Sequence, residues 1–158
     1  RYGTVDYVVN CVGQWVTGDV HTLDSETWNR LVSVNVTGAL EMYREAYQYE
    51  VDTIVTISSV AGKLTFPRLG AYCATKHALT SLLSAAAKEQ NQVTVKLVHP
   101  GPVRTSLFHN EDSPPTWLML SPDNIAEVIE AHLFRNTLTV WWVRLKNFLR
   151  HLLPPSIR

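Results

Sequence analysis

The sequence contains few cysteines. Only Cys11 and Cys73 carry a thiol among its 158 residues, and no CxxC pair is present. Two thiols cannot form a disulfide framework or a four-cysteine metal site, and the histidines show no metal-ligand spacing. We therefore expect no metal ion and a protein of a reducing compartment, the cytoplasm.

Long hydrophobic runs and net charge are also absent. The most apolar stretch near the C-terminus, residues 140–143, is far shorter than the roughly 20 residues that cross a bilayer, so we expect no transmembrane helix. Fourteen Lys and Arg residues balance fourteen Asp and Glu residues, which gives no overall field for nucleic acid. The sequence starts at Arg1 without a signal peptide, so we expect a further segment upstream.

The composition is that of a folded protein. With 46% hydrophobic residues, the chain can bury a core, and we expect one domain over residues 1–158. Basic residues dominate after Glu130, the last acid in the sequence. We therefore describe residues 144–158 as a basic amphipathic tail.

Alternating strand and helix patterns indicate an α/β fold. Strands are predicted at residues 5–9, 53–57, 93–98 and 137–143, and the first fits a parallel strand buried on both faces. Helical periodicity follows from Asp24 or Ser25, either of which can cap the helix, to Tyr43. Two more helices are predicted, at residues 71–88 and 123–135. This order implies right-handed βαβ units and a parallel sheet with helices on both faces.

Two segments near the C-terminus have more than one interpretation. Residues 106–121 are proline-containing and irregular, which predicts a long loop or lid. Their apolar side chains, such as Phe108, Trp117 and Met119, indicate either a hydrophobic substrate or core packing. The tail is either a helix packed on its own domain or a dimer partner, or a segment that binds a membrane surface.

Tyr72 and Lys76 are the first candidates for chemistry. They lie four positions apart in the second predicted helix, which puts them on one face about 5 to 6 Å apart at Cβ. A neighbouring ammonium favours the phenolate and lowers the phenol pKa, so such a tyrosine can act as general acid or base. The same spacing also suits an ordinary surface pair, and the surrounding residues must decide.

Two polar residues accompany this pair. Ser59 follows the 53–57 strand, thirteen positions before Tyr72, at the sheet edge where parallel α/β folds collect active sites. That spacing favours Ser59 over Ser58 as the hydroxyl that contacts a substrate carbonyl. Asn35 lies on an otherwise apolar helix stripe, where a buried amide needs partners, and it either serves the site or braces a helix kink.

Together these features resemble the short-chain dehydrogenase/reductase family. Residues 10–13, Asn-Cys-Val-Gly, are similar to the family's NNAG segment, and residues 57–62 and 72–76 resemble its signatures around the catalytic Ser and Tyr. Residues 100–105 resemble its PG loop. The family's catalytic tetrad would correspond to Asn35, Ser59, Tyr72 and Lys76.

The resemblance implies a Rossmann-like, doubly wound, three-layer α/β/α fold that is truncated at its N-terminus. It also implies an NAD(P)-dependent oxidoreductase acting on a carbonyl or secondary alcohol. Tyr72 would exchange the proton, Lys76 would lower its pKa and bind the nicotinamide ribose, and Ser59 would orient the substrate oxygen. Asn35 would hold a water that links Lys76 to solvent. The implied cofactor contacts are Asn10, Gly13, Tyr72, Lys76, Pro100, Gly101, Val103 and Thr105.

The sequence also departs from the family pattern. Cys11 and Val12 replace Asn and Ala of the NNAG segment, and no GxxxGxG turn is present to seat a pyrophosphate. The cofactor is therefore predicted as NAD or NADP without a choice between them. We expect a small-molecule substrate, self-association into a homo-oligomer and no nucleic-acid partner. The alternative is a truncated, non-catalytic scaffold that serves in subunit association.

Overall fold

The structure is a computed structural model that describes residues 4–89, 92–108 and 113–134. The predicted strand at 137–143 and the predicted basic tail at 144–158 lie outside these ranges.

Three parallel strands form the sheet. They are β1 (Tyr7–Asn10), β2 (Thr53–Ile57) and β3 (Thr94–Val98), in the order β1-β2-β3. In the register Val9 pairs with Val55, and Val55 pairs with Lys96. The predicted boundaries of β2 are confirmed, β3 begins one residue later than predicted, and β1 is shifted toward Asn10.

The prediction that the first strand is buried on both faces is wrong. Tyr7 is 42% exposed and Val9 is 41% exposed, whereas four of the five residues of β2 are buried. The reason is position, because β1 pairs with β2 alone among the described strands and forms an edge of the sheet.

The helices follow the predicted order. They are α1 (Ser25–Val32), α2 (Gly38–Gln48), α3 (Gly70–Glu89) and α4 (Pro122–Phe134). Asp24 is the N-cap of α1, since its side chain accepts a hydrogen bond from the Thr27 amide at 2.7 Å. A π-helical segment, Ser33–Thr37, joins α1 to α2. The predicted long helix is therefore present, and this π-helical segment is the feature that its periodicity did not predict.

Helices cover both faces of the sheet, as predicted. Ile54 packs with Ala46 and Met42 of α2 on one face, and Val55 packs with Val128 of α4 on the other. Successive residues of a strand point to opposite faces of the sheet, so neighbouring side chains of β2 pack against different helices. The result is a sheet between two helix layers. It confirms the predicted α/β/α class.

The segment before α4 is mostly irregular, which agrees with the predicted loop. It contains a short 3-10 turn at Thr116–Leu118, and an isolated bridge joins Val103 to Leu120. None of the helices in the described ranges is long and apolar enough to cross a membrane.

Candidate active site

The structure brings Ser59, Tyr72 and Lys76 together at the carboxyl end of β2. Tyr72 and Lys76 lie in the first two turns of α3 and are only 5% and 3% exposed. Ser59 follows β2 in extended backbone conformation, and its side chain is near enough to Tyr72 to lower the pKa of that phenol in part. The Lys76 Nζ atom lies 5.8 Å from the centre of the Tyr72 ring. The surface-pair interpretation of Tyr72 and Lys76 is therefore wrong.

The backbone that carries Ser59 is held from several sides. Ser58 is buried, and its Oγ lies 2.9 Å from the Oγ1 of Thr80 on α3. The Nδ1 of His99 lies 3.2 Å from the Ser59 carbonyl oxygen. Ser58 thus anchors the loop to α3. The Ser59 Oγ accepts the Ala61 amide at 3.1 Å, and its role toward a substrate stays a prediction.

Asn35 connects the loop after β1 to the catalytic helix. Its Oδ1 accepts the Gln14 amide at 2.7 Å, and its Nδ2 donates to the Gln14 carbonyl at 2.9 Å and to the Thr75 hydroxyl at 3.0 Å. Thr75 in turn donates to the Tyr72 carbonyl at 2.9 Å. Asn35 lies within the π-helical segment and is 1% exposed, so its amide is a fully buried brace.

Lys76 lies beside this brace. Its Nζ atom lies 3.4 Å from the Ile57 carbonyl oxygen. A Cβ added at Gly13 would lie 3.4 Å from the Lys76 Nζ and 3.7 Å from the Asn35 Oδ1. Gly13 therefore lies next to both the Lys76 Nζ and the Asn35 Oδ1, and because Gly13 has no side chain the space between it and these two atoms is unfilled.

Burial controls the titration of both catalytic candidates. It raises the pKa of Tyr72 to about 12, and the hydrogen bond from Ser59 offsets only part of this increase. It also lowers the pKa of Lys76 to about 8. Desolvation disfavours the charged form of each group and is the largest cause of both shifts, so the pKa of Tyr72 lies above its ordinary value; that Lys76 lowers it stays a prediction.

A cleft of about 990 Å³ opens over these groups. Most predicted site residues line it, namely Gly13, Ser59, Tyr72, Lys76, Pro100, Gly101, Val103 and Thr105. Asn10 and Asn35 are instead buried beneath it. The Oδ1 of Asn10 accepts the Val12 amide at 3.0 Å, so Asn10 shapes the loop that presents Gly13.

Trp15 also lines the cleft, although it is not among the site residues predicted from the sequence. Its ring lies edge-on to Tyr72 and to Phe108, with ring centroids 4.9 Å apart in each pair. The one available signal was its place two positions after the NNAG-like segment. The predicted lid residues divide in two groups, since Phe108 lines the cleft while Trp117 is 74% exposed.

Comparisons with known proteins agree with this geometry. Residues 1–115 match the family profile described as short chain dehydrogenase. The chain is 36% identical over 110 residues to inactive 2-(S)-hydroxypropyl-CoM dehydrogenase 2 of Xanthobacter autotrophicus, covering 66% of this chain and 48% of the relative. It is 30% identical over 112 residues to trans-4-hydroxycyclohexanecarboxylate dehydrogenase of Sinomonas cyclohexanicum, covering 68% and 43%.

A solved structure is similar as well. An alcohol dehydrogenase from the archaeon Thermococcus sibiricus, complexed with 5-hydroxy-NADP, superposes with a TM-score of 0.73 and 25% identity over 84% of this chain and 58% of that one. The chain spans about half the length of the curated relatives it matches. Because the family profile matches residues 1–115, well over half of the chain, the protein belongs to the short-chain dehydrogenase family.

Proposed function

We propose that the protein is a nicotinamide-dependent oxidoreductase that interconverts a ketone and a secondary alcohol with apolar substituents. One observation carries this proposal. Ser59, the buried Tyr72 phenol and the buried Lys76 ammonium all line one cleft at the carboxyl end of a parallel sheet. This is the edge at which open α/β sheets bind their ligands.

The cleft suits the nicotinamide half of NAD or NADP. Gly13 leaves space beside the Lys76 Nζ, and a Cβ at Gly101 would meet no atom within 4 Å. Lys76 and the backbone at Val103 would hold the nicotinamide end, and Thr105 lines the same wall. When bound, the cofactor supplies or accepts the hydride. Support for either cofactor comes from similar structures, one complexed with 5-hydroxy-NADP and one, a 4-hydroxyisoleucine dehydrogenase, with NADH.

Tyr72 supplies the proton in this proposal. With a pKa of about 12 it is a neutral phenol at neutral pH, which is the form that donates a proton to a ketone oxygen. Ser59 hydrogen-bonds the same oxygen and orients it. The Lys76 ammonium then stabilises the phenolate that remains on Tyr72.

The substrate class follows from the cleft wall. Apart from the catalytic groups it consists largely of aliphatic and aromatic side chains, including Val60, Phe66, Leu69, Phe108, Leu118, Ile125 and Ile129. Such a wall favours apolar substituents around one polar, reacting group.

A non-catalytic scaffold is the second candidate function. It is favoured by the relative from Xanthobacter autotrophicus whose name describes it as inactive, at 36% identity. On this alternative the buried network of Asn35, Thr75 and Tyr72 serves stability alone. Self-association, a cytoplasmic location and membrane contact through residues 144–158 stay predictions under either function.

Turnover by the full-length protein separates the two functions. The assay follows oxidation of NADH or NADPH by absorbance with a panel of cyclic and aryl ketones, and cofactor binding is measured by isothermal titration calorimetry. Ketone-dependent oxidation that stops with Ser59→Ala supports the enzyme. A folded protein that oxidises neither cofactor with any ketone contradicts it and favours the scaffold.

A further inference from the structure

Trp15 lines both the catalytic cleft and a second cavity. The second cavity has a volume of about 380 Å³ and lies between the loop after β1 and the start of α1. Among the described residues, Trp15 alone lines both this cavity and the cleft. The walls of the second cavity are more polar and include Asp19, Thr27 and Arg30.

The indole is pressed against the catalytic tyrosine. It packs with Ala61, Tyr72 and Cys73, and its ring centroid lies 4.9 Å from that of Tyr72 at an interplanar angle of 61°. Phe108 closes on the indole from another side at the same centroid distance. The space next to the Tyr72 ring is therefore limited by the bulk of one side chain.

The indole N–H of Trp15 donates no hydrogen bond within the described part of the chain. The Nε1 atom is buried, and no hydrogen-bond partner for it is present there. A buried donor without a partner costs about 1 to 3 kcal/mol, a cost that phenylalanine would avoid. This points to the size of the ring, rather than its donor, as the property that matters at position 15.

The backbone on each side of Trp15 is anchored independently of the indole. Asn35 binds both the amide and the carbonyl of Gln14, at 2.7 and 2.9 Å. The amide of Gly18 donates to the Arg68 carbonyl at 2.8 Å. Because this backbone segment is hydrogen-bonded on both sides of Trp15, it should move little when the indole is removed. The space left by the indole would therefore remain.

We propose that Trp15 is a specificity-determining residue that sets the upper size of the substrate beside Tyr72, by closing the catalytic cleft off from the second cavity. Removal of the indole joins the two cavities. The substrate class then shifts from compact ketones to ketones with a second ring. This inference rests on the proposed function, because it assigns a substrate to the same site.

The test compares Trp15→Ala and Trp15→Phe with wild type in the full-length protein. The probes are cyclohexanone and 4-phenylcyclohexanone, and the measured quantity is the ratio of their kcat/KM values. Trp15→Ala is expected to shift this ratio toward 4-phenylcyclohexanone by roughly tenfold or more, the discrimination that pocket size provides. Trp15→Phe is expected to shift it less. Any general loss from weaker packing of Tyr72 cancels in the ratio.

Trp117→Ala is the matched control. Trp117 is 74% exposed and is not among the residues that line the cleft, so its removal is expected to leave the ratio unchanged. Thermal unfolding verifies that each variant is folded. An unchanged ratio in a folded Trp15→Ala protein would overturn the proposal, and so would an equal loss of both ketones in the Phe and Ala variants, because that pattern indicates recognition by the indole N–H.

Calorimetric binding of the two ketones separates this proposal from the proposed function. If no variant reduces either ketone, the oxidoreductase assignment fails, and the ratio of the two dissociation constants still tests the size limit. A shift of that ratio in Trp15→Ala supports the limit without turnover. An identical ratio in wild type and Trp15→Ala rejects it.

Discussion

β1 and β2 are two neighbouring strands with similar apolar sequences and different surroundings. Val9 and Val55 pair directly in the register, yet Val9 is 41% exposed and Val55 is fully buried. Among the described strands, β2 has a strand on each side and a helix layer on each face, whereas β1 has one neighbour in the sheet. Burial of a β-branched strand thus depends on its neighbours, which its own residues do not specify.

The loops that follow the two strands differ in the same way. After β2, Ser58 is bonded to Thr80 of α3 and to Val98 of β3, and the Ser59 carbonyl oxygen lies 3.2 Å from the His99 Nδ1, so the backbone that carries the Ser59 hydroxyl is fixed. After β1, Cys11 and Val12 are exposed, and Trp15 is the part of that loop that reaches Tyr72. In our proposal the chemistry depends on the loop after the buried strand, and substrate selection depends on the loop after the edge strand.

The largest expected effect tests the chemistry at the end of β2. Tyr72→Phe removes the proton donor and should reduce kcat by about 10² to 10⁴-fold, the usual contribution of a general acid. Circular dichroism should be unchanged, because the ring and its packing remain. Tyr49→Phe, at a residue that is 70% exposed, is the control and should retain the wild-type rate. Wild-type turnover by Tyr72→Phe would remove Tyr72 from the mechanism.

A second pair of variants tests the difference in burial between the strands. Ile54→Ala in β2 should lower the free energy of unfolding by about 2 to 5 kcal/mol, since Ile54 is fully buried. Val9→Ala in β1 should cost less than about 1 kcal/mol, because much of Val9 already contacts solvent. Urea unfolding measures both. A loss at Val9 as large as that at Ile54 would mean that another part of the protein covers β1.

The pH dependence of stability tests the buried ammonium. The native pKa of Lys76 is about 8 and its ordinary value is 10.5. Between these pH values the unfolded chain binds more protons, so the free energy of unfolding rises with pH, by on the order of 3 kcal/mol in total. Below about pH 8 both states are protonated and the desolvation cost of the ammonium is present in full.

Lys76→Met removes this dependence. The variant should be more stable than wild type at about pH 7, and the difference should shrink as the pH approaches about 10. Lys63→Met, at an exposed lysine, is the control and should keep the wild-type slope. Urea unfolding at several pH values gives the slopes, and parallel curves for wild type and Lys76→Met would show that the ammonium is not desolvated.

The smallest expected effect concerns Gly62, three residues after Ser59 in the loop that follows β2. A Cβ at Gly62 would lie 2.5 Å from the Thr80 Oγ1 and 2.8 Å from the Lys76 carbonyl oxygen. Because that carbonyl belongs to the backbone of α3, Gly62→Ala should destabilise the protein by about 1 to 3 kcal/mol. Gly101→Ala meets open space and should change stability by less than about 0.5 kcal/mol. Thermal unfolding compares them, and equal effects would contradict the tight packing at Gly62.

Local spacing explains what could be predicted. The four-residue separation of Tyr72 and Lys76 is one helical turn, and the thirteen residues back to Ser59 span one loop and the start of a helix. The boundaries of β2 follow from its apolar run. The π-helical turn around Asn35 could not be predicted, because Asn35 accepts a hydrogen bond from Gln14 and donates one to Thr75, and both partners are distant in sequence.

By itself, the sequence determined the alternation of strands and helices, the three-layer class and the set of polar groups at the strand ends, since these depend on periodicity and short separations. Only the tertiary structure decided that β1 is exposed, that burial raises the pKa of Tyr72, and that Trp15 lines two cavities. The physical reason is that exposure, desolvation and cavity shape are properties of what surrounds a residue, and the surroundings are assembled from distant parts of the chain.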